Sequence, residues 1–160
     1  MRMPAAGPAT LVALASLLFA APGARADDEF EAVPPIAHQA TLEECGECHM
    51  AYQPALLPRE SWAAIMDGLA DHFGEDASLS PAVATEIREY LVGAAAPARR
   101  LSPRPVLAIT EQRWWQHEHD DIRPSAWRDP KVISKSNCPA CHKGAERGFY
   151  EDADESWERD

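Results

Sequence analysis

The stretch Cys45-Gly46-Glu47-Cys48-His49 recurs as Cys138-Pro139-Ala140-Cys141-His142, and these two segments decide how the rest of the chain is read. Each has the form Cys-x-x-Cys-His, the attachment pattern of a c-type haem. On a helix, positions i, i+3 and i+4 share one face. Two thiols can then reach the two vinyl groups of one porphyrin while the adjoining imidazole turns to its iron. All four cysteines of the chain lie in these motifs. The expectation is therefore two covalently bound haem c groups, attached through Cys45, Cys48, Cys138 and Cys141. His49 and His142 are the expected proximal iron ligands.

Other uses of four cysteines fit less well. Zinc ribbons space their pairs about 15–20 residues apart, whereas Cys48 and Cys138 stand 90 positions apart. Two disulfides suit an exported protein but leave the His after each second Cys as coincidence. A thioredoxin-like pair expects a βαβ context, and the sequence contains no such pattern.

Residues 1–26 read as a secretory signal: Arg2, an apolar run of 11 over residues 11–21, and Ala24-Arg25-Ala26 as a small-x-small cleavage site. The run is too short to cross a bilayer, which takes about 20 residues. No later stretch reaches 18 apolar residues. The mature chain is expected to begin near Asp27, to have no transmembrane segment and to reside in the periplasm, where bacteria attach c-type haem. It keeps all 26 acidic residues but loses Arg2 and Arg25, so the net charge moves from −11 to −13. A chain this acidic is a poor nucleic-acid binder, because phosphates need Lys and Arg to neutralise them. Its field favours basic partners, and it also serves plain solubility.

The hydrophobic pattern is helical throughout, and the expected fold class is all-α: a small haem-centred helical protein. Thr41 with Glu44 forms a capping-box pattern ahead of the first motif. Residues 52–58 hold Pro54 and Pro58, which exclude regular helix, and their apolar side chains are expected against the porphyrin. Over residues 60–73 the positions Trp62, Ile65, Met66, Leu69 and Phe73 follow helical spacing, with Gly74 as the C-cap. Ser80 and Pro81 open a third helix bearing Val83, Ile87, Tyr90 and Leu91. Residues 94–105 lack any period and read as a linker. The organisation expected is a signal (1–26), an N-terminal haem domain (27–97) and a C-terminal haem domain with an acidic tail (98–160).

The second half opens at Thr110, a candidate N-cap, before Glu111-Gln112-Arg113-Trp114-Trp115-Gln116-His117-Glu118-His119. Trp115 and His119 share one face, Trp114 and His117 another. Ser136 is a candidate cap for a helix carrying Cys138 to His142. Beyond the proximal pair, the chain offers His38, His72, His117 and His119 as further ligands. Methionine is the rival, but Met1 and Met3 leave with the signal and Met50 adjoins His49, so only Met66 remains. His72 lies on the apolar face one helix beyond the first motif, and neutral imidazole is a common iron ligand. No His or Met follows His142, so a sixth ligand for the second iron comes from upstream. These considerations favour His72 for the first iron and leave His119 or His117 for the second. With both axial positions filled, neither iron offers substrate a site, and the protein moves electrons. The competing reading is a haem enzyme or gas binder with one five-coordinate iron, on the pattern of a dihaem peroxidase.

The residues resemble the bacterial dihaem cytochrome c family, DHC. The resemblance rests on Cys45-Gly-Glu-Cys-His-Met-Ala-Tyr-Gln-Pro54, Leu56-Leu-Pro58, Ser61-Trp62 and Leu69-Ala-Asp-His-Phe-Gly74. It continues through Ile109-Thr-Glu111, Trp115 with His119, and Asn137-Cys-Pro-Ala-Cys-His142. It implies an N-terminal half like a class I cytochrome c and a smaller C-terminal haem half. It also implies bis-His ligation of both irons and electron delivery to redox proteins. One such partner is a monohaem oxygen-binding cytochrome c as acceptor, with a membrane b-type cytochrome as donor. In the family pattern the second distal His follows an Arg-Glu pair, which places it at His119, with His117 standing in the Arg position.

Overall fold

The computed structural model describes residues 33–96 and 105–151. The expected signal (1–26), the middle of the expected linker (97–104) and the end of the acidic tail (152–160) lie outside the described residues. Among the described residues the protein is all-α, with four α-helices joined by 3-10 turns and no strand. The helices are α1 (Gln39–Gly46), α2 (Arg59–Asp67), α3 (Pro81–Gly93) and α4 (Arg113–Glu118).

α3 starts as its sequence dictates, with extended Ser80 before Pro81 at the first helical position. α2 and α3 pack together and carry most of the core. Trp62 and Ile65 of α2 meet Ile87 and Leu91 of α3, with Leu56 and Leu57 of the preceding turn beneath them. Each such side chain, exposed over less than a tenth of its surface, contributes about 1.5–3 kcal/mol. The Trp62 indole also donates to the Pro54 carbonyl at 2.8 Å. The Arg88 guanidinium ties the pair from outside, donating to Ala63 O at 2.8 Å and meeting Asp67 at 3.2 Å.

The core does not stop at the linker. Ile109 and Trp115 belong to the same buried cluster as Leu57 and Ile87. Ser61 Oγ and Gln112 Nε2 both donate to the Val106 carbonyl, at 2.9 and 3.0 Å. At the other end, Val33 N–H donates to Gly148 O at 2.9 Å. Gly148 has φ +84°, and a Cβ there would run into the Val33 carbonyl, so the position demands glycine twice over.

Several elements differ from the pattern the sequence suggests. The Thr41 capping box does not form: α1 starts three residues earlier with His38 as N-cap, and Thr41 is buried inside it, its hydroxyl 2.9 Å from His38 Nδ1. The helix expected through Phe73 stops at Asp67. Gly68 ends it, Leu69–Asp71 forms a 3-10 turn, and Phe73 (φ +54°) and Gly74 (φ +98°) reverse the chain. A 3-10 turn roughly keeps the same face inward, so the apolar period runs on past the point where the α-helix ends. Gln112, not Thr110, caps α4, because Ile109–Glu111 is a separate 3-10 turn. Leu56 and Leu57 of the Pro-containing loop are buried by the protein's own core.

Candidate haem sites

The first motif straddles the end of α1. Cys45 lies on its last turn, while Cys48 and His49 follow in the irregular chain. His49 Nδ1 lies 2.7 Å from the Met50 carbonyl. A carbonyl can only accept, so Nδ1 carries the proton and Nε2 is left with the lone pair a metal needs. The early end of α2 matters here. Because the chain leaves the helix at Gly68, His72 sits in the bent segment, clamped by reciprocal backbone bonds with Glu75 at 2.7 and 3.2 Å. Its ring centroid then stands 6.1 Å from that of His49, with 29° between the planes. Burial, and then the neighbouring His49, hold the His72 pKa below the usual histidine value, which keeps the ring neutral.

The second motif is not helical. Cys138–Ala140 is a single 3-10 turn with Asn137 as its cap, and the chain turns again at Ala145–Arg147. One short segment with Pro139 inside it and Gly144 behind it gains too few bonds to offset helix nucleation. Burial pushes the Cys138 thiol up to about 11 and raises that of Cys45, where Glu44 adds to the effect. Neither pair of cysteines forms a disulfide. Among the described residues no three His, Cys, Asp or Glu side chains gather as a metal cluster.

α4 delivers His119 and rejects His117. His119 is the residue at the C-terminal cap, and its Nδ1 donates to Trp115 O at 2.8 Å, again leaving Nε2 with the lone pair. Its ring stacks on Trp115 at 4.2 Å and 13°. Its centroid lies 6.1 Å from that of His142, with the planes at 82°. Burial is the leading cause of its lowered pKa, opposed by the Trp115 carbonyl. His117 points into solvent, its side chain 81% exposed and 3.9 Å from Asp120. His38 is committed elsewhere: Nδ1 meets Thr41, Nε2 lies 3.0 Å from Glu86, and the ring stacks on Tyr90. Met66 packs against the core.

The two histidine pairs therefore share one spacing. A metal held at about 2 Å by one nitrogen from each of two facing imidazoles sets ring centroids about 6 Å apart. The donors fit an iron, and each pair lies beside its own Cys-x-x-Cys segment.

The two sites are joined through residues that the sequence patterns do not single out. Tyr52 stacks on His49 at 4.9 Å, and its hydroxyl donates to Ser136 O at 2.8 Å, two residues before Cys138. Gln53 is fully buried; its Nε2 donates to Ala145 O at 2.8 Å, and its Oε1 accepts from Tyr150 OH at 2.6 Å. Tyr150 in turn meets His142 edge-on at 5.5 Å. Only the adjacency of Tyr52-Gln53 to the first motif hinted at this role; nothing marked Trp127, which packs at 5.7 Å on Trp115.

Comparison with known proteins gives a consistent picture. The family model described as dihaem cytochrome c matches residues 41–150. A comparison with curated proteins gave no match. Among solved structures, DHC purified from Rhodobacter sphaeroides is 46% identical, with a TM-score of 0.64 over 72% of this chain and 98% of that one. Another structure, of a diheme cytochrome c from Rhodobacter sphaeroides, is 43% identical, with a TM-score of 0.68 over 73% and 99%. The diheme cytochrome type c of Shewanella baltica OS155 is 41% identical, with a TM-score of 0.63 over 76% and 90%. The chain belongs to the dihaem cytochrome c family, which carries two haem c groups, and its cysteines are consistent with attachment through the two Cys-x-x-Cys-His segments.

Proposed function

We propose that the protein is a periplasmic electron carrier whose two haem irons are each closed by a pair of histidines, His49 with His72 and His142 with His119. The observation that carries this reading is the 6.1 Å centroid spacing shared by the two pairs. The haems supply one-electron couples; the chain's own residues attach them, fill their axial positions and set their surroundings. Cys45, Cys48, Cys138 and Cys141 provide the thioether sulfurs. The Met50 and Trp115 carbonyls fix the ring orientation of His49 and His119, as second-shell acceptors do for metal-bound imidazoles. Two imidazoles favour a lower potential than His/Met ligation would.

Tyr52 links the two halves (27–97 and 98–160) by stacking on the His49 ring and donating to the Ser136 carbonyl, which also accepts from Cys138 N–H at 3.0 Å. The apolar leader and its small-x-small end support export, and among the described residues no helix is long and apolar enough to cross a membrane. The partners in this reading are redox proteins: a monohaem oxygen-binding cytochrome c as acceptor and a membrane b-type cytochrome as donor. Carbon monoxide tests the closure of both irons. The reduced protein should leave its spectrum unchanged under carbon monoxide at neutral pH; rapid binding at either haem overturns the bis-His assignment and favours a gas-binding or peroxidase-like role.

A further inference from the structure

The surroundings of the two motifs carry opposite charge. Residues 33–58 contain no Lys or Arg, and Glu43, Glu44 and Glu47 crowd the first motif. All three lysines of the chain, Lys131, Lys135 and Lys143, flank the second. Lys143 Nζ donates to the Pro139 and Ala140 carbonyls at 3.3 and 3.2 Å, which holds its charge on the motif itself.

Between the other two lysines the backbone is strained. Ser134 N–H donates to Val132 O at 2.7 Å across Ile133, whose φ is +64°. That is a γ-turn of the rare hand, with a β-branched residue where glycine or asparagine normally sits. Burial of Val132 and a 3.0 Å bond from Asn137 Nδ2 to its carbonyl hold the turn in place. The strain aims the isoleucine outward, 85% exposed. Folding gains nothing from an isoleucine held in water. Strain kept for no packing return marks functional positions.

The turn also connects inward. Lys135 Nζ lies 5.8 Å over the Trp115 ring and 5.4 Å over Trp127, and Trp115 stacks on His119. One indole thus separates the exposed turn from the imidazole that, on the reading above, closes the second iron.

We propose that the Lys131–Lys135 turn is the docking port of the second haem, and that it takes an acidic redox protein. The flanking ammonium groups draw in the negative surface, Ile133 enters a shallow apolar depression on the partner, and the electron crosses through Trp115. The proposal rests on the His119 assignment for its route to the iron. Charge complementarity selects the partner class, since the chain carries a net −11 and Glu43, Glu44 and Glu47 repel an acidic protein from the first motif.

The test uses the full holoprotein and flavodoxin hydroquinone, an acidic one-electron donor, in stopped flow. One electron leaves the anionic hydroquinone, which becomes the neutral semiquinone, and reduces the ferric iron of the second haem. In K131Q/K135Q the bimolecular rate should fall on the order of tenfold at low salt, with a flatter salt dependence. Ile133→Ser should slow the reaction at every salt concentration. Reduction by the methyl viologen radical cation, a small cationic one-electron donor of low potential, should be no slower in either variant. Unchanged flavodoxin rates and salt slope in K131Q/K135Q overturn the port. Carbon monoxide is applied to the same samples. An inert wild type with unchanged lysine-variant rates rejects the port alone. Carbon monoxide binding at the second haem of the wild type rejects the His119 assignment, while a persisting lysine dependence still supports the port.

Discussion

Replacing Gln53 by leucine should loosen the second haem site from the first, although Gln53 touches neither histidine pair. The side chain is fully buried and holds two elements of the C-terminal half at once, donating to Ala145 O at 2.8 Å and accepting from Tyr150 OH at 2.6 Å. Leucine has nearly the same volume, so the cavity contribution is small and the polar contribution dominates. Each lost hydrogen bond is worth about 1 kcal/mol net, and a buried group left without a partner costs about 1–3 kcal/mol. The Ala145 residue is completely buried and its carbonyl keeps only what neighbouring backbone can offer. The Tyr150 hydroxyl, on a half-buried ring, can recover water. The expected loss is therefore about 2–4 kcal/mol. Urea unfolding of the holoprotein, followed by tryptophan fluorescence and by the haem bands, measures it. Tyr150→Phe should cost about 1 kcal/mol, and the double variant should cost less than the sum, since both changes remove the same bond. A Gln53→Leu loss below about 0.5 kcal/mol at unchanged m-value, or strict additivity with Tyr150→Phe, would refute the reasoning.

Three other outcomes follow from the same structure. Gly148→Ala should destabilise by at least about 2 kcal/mol, because the left-handed backbone alone costs about 1–2 kcal/mol for alanine and the Val33 carbonyl must also move; a thermal melt within a degree of wild type contradicts this. His119→Ala should turn one haem high-spin and reactive to carbon monoxide, while His117→Ala should leave both spectra unchanged, since His117 projects into solvent. Tyr52→Phe keeps the ring on His49 but removes the bond to Ser136 O, so it should cost about 0.5–1.5 kcal/mol and slow electron exchange between the haems after flash reduction of one of them.

The haem count was legible because Cys-x-x-Cys-His is a local pattern whose chemistry does not depend on the fold, and the all-α class because the apolar spacing is helical. Which histidine of α4 faces inward was only half legible. Periodicity placed Trp115 with His119 and Trp114 with His117 but could not tell which face turned inward; the Trp115 stack and the Trp127 contact show that His119 does, and those are tertiary. Helix ends were misread wherever an apolar period outlived the helix. Leu69 and His72 continue the spacing of Ile65, yet Gly68 ends α2, and the departure from helix is what turns His72 toward His49. Thr41 looked like a cap because Glu44 follows it, but burial of Thr41 beside His38 won over capping. The Gln53 clamp was invisible, since its partners lie more than 90 residues away.

The bis-His closure of both irons is the central claim, and low-temperature electron paramagnetic resonance of the fully oxidised protein tests it most directly. Two imidazole planes at 29° and two at 82° split the iron orbitals differently. Two distinct low-spin ferric signals of equal weight are expected, the near-perpendicular pair giving the more anisotropic one, and His119→Ala should erase that signal alone. A high-spin ferric signal from the native protein, integrating to one iron per chain, would contradict the account.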